Sequence, residues 1–201
     1  MPEYSNNIYS KDTIKAVDAK YEAQRIAFAP LTFQAVRALL ETGILKIISD
    51  SGEKGLGLDK IVEASGIPVY GVNVLLEMAL GMNIVKVKSG TCPAGDELDL
   101  FVLGKIGWFL LEDEMTRVNF NFVNDVCYKG AFELSRSVKA GKPMGLEVFG
   151  SEWETIYDAL SSLPEQVKKS WFDFDHFYSD IGFKEALPIV FSSNPKIGSS
   201  R

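Results

Sequence analysis

Between Gly55 and Gly90 the chain reads GLGLDKIVEASGIPVYGVNVLLEMALGMNIVKVKSG, and no other stretch constrains the fold as much. LDKIVEASG predicts a short helix closed by Gly66, since glycine takes the left-handed C-terminal cap at no steric cost. Gly57 stands at its start, a weaker cap than Ser or Thr. After Ile67 and Pro68, residues 69–82 predict a second helix, with Val72, Leu75, Leu76, Ala79 and Leu80 spaced to face inward. IVKVK then alternates as a strand, SGTCPAGDELD turns, and LFVLG returns as its partner. Helix, short turn, helix and hairpin is the winged helix-turn-helix order. The hairpin loop is longer than these strands require.

Upstream, SKDTIKAVDAKYEAQRIAFAP (10–30) predicts a helix with Ser10 as N-cap, interrupted at Pro30. LTFQAVRALLETGILKIISDSG (31–52) predicts a second one, with Phe33, Val36, Leu39, Leu40, Ile44 and Ile47 at helical spacing. A helix this apolar nearly all round is buried on more than one side. Two readings stand open: it meets a partner chain, or it is the middle helix of one large core. From residue 105 onward the pattern is all helical, with helices near 105–111, 113–127, 129–140, 152–162, 164–181 and 183–191. Ser162 and Glu165 in SLPE have capping-box spacing, and AGKPMG (140–145) reads as a connector. The fold class is therefore mainly α: a winged helix-turn-helix with a small β-hairpin, an N-terminal helical arm and a C-terminal helical segment. The expected limits are 1–104, 105–193 and a short linker, 194–201.

Charge removes the commonest role of a winged helix. From Ile67 to Ile84 there is no Lys or Arg, and Glu77 is the only charge. A recognition helix without cations releases no counterions from DNA and gains little affinity. Lys86 and Lys88 on the hairpin are opposed by Asp96, Glu97 and Asp99, and the whole chain carries a net charge of −6. No nucleic-acid partner is expected. Cys92 and Cys127 lie far apart and in no metal-binding spacing. The N-terminus is polar and contains acids, and no apolar run is long enough to cross a bilayer. These features read as a cytoplasmic protein without a membrane partner. No residue set forms a metal site or a serine–histidine–acid signature, and Asp173 and Asp175 point to different helix faces. His176 is the only histidine.

The residues GLGLDKIVEASGIPVYGVNVLLEMALGMNIVKV, then FVLGKIGWFLLED, then ELSRSVKAGKPMGLEVFGSEWETIYDALSSLPEQVKKSWFDFDHFYSD carry a family resemblance. The chain resembles the N-terminal region of the S-adenosylmethionine-dependent O-methyltransferases of the plant caffeate and bacterial polyketide type. Gly141, Pro143, Phe149, Gly150, Pro164 and Glu165 match the family's G-x-P, FG and DPE positions. The resemblance implies a dimerisation domain over 1–104 and a substrate lid over 105–193. It also implies a homodimer through the N-terminal helices and a small aromatic or polyketide-like substrate methylated on a hydroxyl or phenol. By motif position Phe122, Trp153, Trp171, Asp175 and His176 are the candidates for the substrate pocket. The run WFDFDHFYS stands where the family has a methionine-containing one.

That family holds adenosylmethionine in a Rossmann-like domain, which also carries its catalytic histidine. No G-x-G-x-x-G occurs in these 201 residues. The expectation is a chain that stops at the junction, where Ile197 begins what resembles the first strand. It would then have neither catalytic nor cofactor-binding residues and no methyl transfer of its own. Two other functions remain open: a winged-helix regulator whose aromatic segment senses a small ligand, and a stand-alone dimerisation module.

Overall fold

The computed structural model describes residues 11–91, 97–150 and 153–193. They fall into two compact units that divide between Leu111 and Glu112.

In the first unit, α1 (Ala16–Glu41) runs straight through Pro30, so the predicted break there does not occur. The break lies instead at Gly43, whose φ of 72° ends α1 and opens α2 (Ile44–Asp50). A proline costs a helix one hydrogen bond, whereas a left-handed residue turns the chain out of the helical path. Ser10 lies outside the described residues, and Lys15 stands in the N-cap position in extended conformation. Only the C-terminal turns of α1 meet their own unit, where Ala35, Val36 and Leu39 are buried. From Ala16 to Leu31 the helix is almost wholly exposed.

A 3-10 turn, Gly52–Lys54, leads to the short strand β1 (Leu56–Gly57) and then α3 (Leu58–Ser65). Gly66 closes α3 at φ 67° with its N–H on the Val62 carbonyl, 3.0 Å, as the sequence predicts. In α4 (Val69–Gly81), Val72, Leu76 and Ala79 are buried, while Leu75 and Leu80 are half-buried. Strands β2 (Val85–Thr91) and β3 (Glu97–Leu103) pair from Val85↔Leu103 to Thr91↔Glu97, and β1 adds to the far edge of β3. The sheet is antiparallel in the order β1-β3-β2. Much of the apparent excess of loop is thus strand: pairing continues through Ser89↔Asp99 and Gly90↔Leu98. Leu39, Ile44, Leu45, Ile48, Ile61 and Leu76 close the core under this sheet and its helices. The unit ends in α5 (Lys105–Glu112). The chain is mainly α with one small sheet, the fold class its sequence implies.

In the second unit, α6 (Glu114–Phe122) starts at Asp113, whose carboxylate accepts from the Thr116 N–H and hydroxyl, both at 2.7 Å. It continues as a π-turn, Val123–Cys127, in which the Tyr128 N–H reaches the Val123 carbonyl at 2.7 Å. A 3-10 turn (Gly130–Glu133), α7 (Leu134–Ala140), a second 3-10 turn (Met144–Phe149) and α8 (Ile156–Ala159) follow. The helix predicted over 152–162 is this single turn; residue 152 lies outside the described residues. The cap bonds also form earlier than predicted. Asp158 accepts from the Thr155 N–H at 3.0 Å and from its hydroxyl at 2.8 Å. Ser162 sits in the turn that follows, donating its N–H to the Ala159 carbonyl at 2.8 Å. The last helix, α9 (Glu165–Ser193), is one element of 29 residues rather than two. Gly182 and Pro188 lie within it, because neither residue takes a non-helical conformation there. Ala159, Leu163 and Val167 form the buried cluster of the unit, with Val126, Phe149 and Trp153 packed on it.

Candidate functional site

The second unit carries an aromatic face built along α9. Trp171, Phe174 and Tyr178 recur at i, i+3 and i+7, which places them on one side of a helix. Phe122, the last residue of α6, stacks on Phe174 with ring centroids 4.0 Å apart and planes 18° from parallel. Its centroid lies 5.8 Å from that of Trp171, and Tyr157 meets Trp171 edge-on at 5.8 Å. Tyr178 extends the row, 4.9 Å from Phe174, and donates its hydroxyl proton to Asn119 Oδ1 at 2.9 Å. Phe122, Trp171 and Phe174 are half-buried while Tyr157 and Tyr178 are exposed. A row of rings held by one another on one side and open on the other can stack a planar molecule.

The five candidates do not converge on one point. Phe122 and Trp171 belong to the aromatic face. Trp153 packs on the Ala159–Leu163–Val167 cluster and lines a separate cavity of about 580 Å³ with Met144, Leu146, Glu147 and Glu154. Arg136 braces this cavity, donating to both Glu147 oxygens at 2.7 and 2.9 Å and to Glu133 at 3.0 Å. Those carboxylates, Glu147 foremost, raise the guanidinium pKa above its usual value. Asp175 is exposed one helical turn beyond Trp171 and accepts the Ser179 hydroxyl on its backbone carbonyl at 2.7 Å.

His176 faces a third place. Its Nδ1 lies 3.2 Å from Asp180 Oδ1, in a groove of about 360 Å³ between α6 and α9. Val118 and Phe177 floor this groove, and Glu114, Arg117, Lys169 and Asp173 rim it. Lys169 reaches Asp173 at 2.5 Å. Among the described residues no group of three or more His, Cys, Asp and Glu could hold a metal ion. Cys127, in the π-turn, is a half-buried free thiol whose pKa burial raises.

The sequence offers Phe174 and Tyr178, with Phe122 and Trp171, among the aromatics that could sandwich a planar substrate, whereas Tyr157 was missed. The i, i+3, i+7 spacing on α9 was the available signal for Trp171, Phe174 and Tyr178. Asp125 and Ser170, which join the π-turn to α9, had none, because the turn shifts the helical phase between them.

Residues 20–91 match the model of the Dimerisation2-like domain. This domain covers most of α1, both helices of the helix–helix–hairpin unit and strand β2. The fold also extends to solved structures. The S-adenosylmethionine-dependent methyltransferase SibL, in its apo form, superposes with a TM-score of 0.60 at 18% identity, over 78% of this chain and 43% of its own. Human N-acetylserotonin methyltransferase, in complex with SAM, gives 0.61 at 15% identity over 82% and 45%. The mitomycin 7-O-methyltransferase MmcR gives 0.58 at 15% identity over 79% and 43%. At these identities the likeness is one of fold, and the chain spans less than half the length of each of these methyltransferases. No curated protein sequence matches the chain.

Proposed function

We propose that this chain is the dimerisation and substrate-cap portion of a SAM-dependent O-methyltransferase that acts on a hydroxyl or phenol of a small aromatic molecule. The observation that carries the reading is the Dimerisation2-like domain over residues 20–91, joined to a fold shared with methyltransferases beyond that domain. Two copies pair through their N-terminal helices. The exposed apolar side chains of α1, among them Val17, Tyr21, Ile26, Phe28 and Leu31, supply a contact that the protomer leaves open to water.

The second unit supplies the wall over the methyl acceptor. Phe122 and Trp171 offer ring faces for stacking. Trp153 lines a separate cavity, His176 faces the groove between α6 and α9, and Asp175 is exposed beyond Trp171; these three are further acceptor contacts in the proposal. Methyl transfer also needs a positioned donor and a base that takes the hydroxyl proton. Adenosylmethionine is the donor implied by the fold family. The sequence has no glycine-rich βα turn to cradle it, so these 201 residues neither bind the donor nor catalyse transfer by themselves. A cytoplasmic setting, free of nucleic-acid and membrane partners, completes the proposal. It is supported by the cation-free helix α4, and no single described helix is long and apolar enough to cross a membrane.

Isothermal titration of adenosylmethionine into the chain is expected to give no heat, and clear binding contradicts the reading. Sedimentation is expected to show a dimer. Retardation of random duplex DNA at low salt would favour the ligand-responsive regulator instead.

A further inference from the structure

Three side chains of the second unit, one of them buried, converge on one carboxylate. Ser170, on α9, is the one polar residue buried among the described residues, with 1% of its surface exposed. Its hydroxyl donates to Asp125 Oδ2 at 2.5 Å. Gln166, one turn earlier on α9, donates from Nε2 to the same oxygen at 2.9 Å. Asn124 donates from Nδ2 to Asp125 Oδ1 at 2.5 Å. Each of these partners has a proton to donate, and the carboxyl group has acceptor sites for all three.

Asp125 lies within the π-turn Val123–Cys127, which holds one residue more than an α-helical turn. Relaxing such a turn to an α-helix rotates the preceding helix by about 100° and shifts it by about 1.5 Å. The preceding residue is Phe122. Four residues after Ser170 on α9 comes Phe174, the ring on which Phe122 stacks at 4.0 Å. One set of hydrogen bonds therefore fixes both the turn and the register in which the two rings meet.

We propose that Asp125 is a positioning residue: its carboxylate latches the π-turn to Ser170 and Gln166 and so sets the Phe122–Phe174 stack of the aromatic face. The proposal rests on the reading of that face as a substrate wall for its functional meaning, and on the geometry alone for the latch. With the latch in place the face is preorganised, and a planar ligand binds without first ordering the rings.

The test compares the full chain with Asp125→Leu, which keeps an apolar body but offers no acceptor. The readouts are the NMR cross-peak between the Phe122 and Phe174 rings, the Trp171 resonance under 5-fluorotryptophan labelling, and the affinity for 2-naphthol as a planar phenol. The expected result is loss of the cross-peak, a moved Trp171 resonance and affinity lower by about tenfold or more. The Trp153 resonance, from the Ala159–Leu163–Val167 cluster of the same unit, stays in place and shows that this unit is folded. Should Asp125→Leu fail to fold, Ser170→Ala removes one donor without added bulk, and a weakened cross-peak with about threefold lower affinity is expected. An unchanged cross-peak in a folded variant overturns the latch. A wild-type chain that ignores 2-naphthol while Asp125→Leu still loses the cross-peak refutes the substrate-wall reading and leaves the latch standing.

Discussion

Replacing Ile26 by alanine separates assembly from folding. Ile26 is 75% exposed in its own protomer, on the almost wholly exposed part of α1. Its removal therefore leaves the protomer core intact, and alanine is the better helix former. In a symmetric dimer the same residue is buried twice, once from each copy. Burying three quarters of an isoleucine side chain contributes about 1.5 kcal/mol, and truncation to alanine loses most of it. Two copies lose about 2.5 kcal/mol together, which weakens the dimer by about 50-fold. Sedimentation velocity over a concentration series reads the dissociation constant, and thermal unfolding at a dilution where both proteins are monomeric reads the fold. The reasoning fails if the dissociation constant of Ile26→Ala equals that of the wild type. It also fails if the wild type stays monomeric at high concentration, or if the monomer itself loses stability.

Leu39→Ala supplies the opposite pattern: its side chain is fully buried in the first unit, and truncation is expected to cost about 2–5 kcal/mol of protomer stability in a denaturant titration. An unchanged midpoint would remove Leu39 from the core. With Cys92 replaced by serine, Cys127 is expected to react with iodoacetamide at pH 8 more slowly than a free thiol, because burial raises its pKa and lowers the thiolate fraction; equal rates would refute this. Asp113 has a folded-state pKa lowered by its Thr116 hydrogen bonds, side chain first. Its stabilisation is thus present above the unfolded pKa and is lost as pH falls through the folded value. Amide protection at the start of α6, taken relative to the intrinsic exchange rate at each pH, should fall in that acidic window and be low in Asp113→Ala already at neutral pH; protection that is flat with pH would count against the cap.

Where the backbone itself dictates structure, the sequence could be read closely. Gly66 ends α3 because only a residue at ease with positive φ can close that turn, and the alternation of IVKVK gives β2 its first residues. The misreadings share a cause. Pro30 and Gly182 are weak helix formers, but each disfavours a helix by a limited amount that neighbouring turns can offset. Gly43 actively turns the chain, and it lay hidden within an apolar run that looked continuous. The capping box in this stretch belongs to α8 rather than α9. Ser162 and Glu165 have capping-box spacing, yet Thr155 and Asp158 have it too, and the bonds form at the earlier pair.

The candidate site shows the same limit on a finer scale. Carrying residues over by motif position assigned Trp171 and His176 to one pocket, although five residues on a helix amount to about 140° between them. Trp171 accordingly joins Phe122, whereas His176 turns to the groove between α6 and α9. Helical phase alone could have made that division, since Trp171, Phe174 and Tyr178 fall within one narrow arc. No phase rule could have linked α6 to that arc, because the π-turn adds a residue between Phe122 and the chain that follows. The ring pairing depends on where Asp125 meets Ser170, a contact across 45 positions that no local pattern encodes.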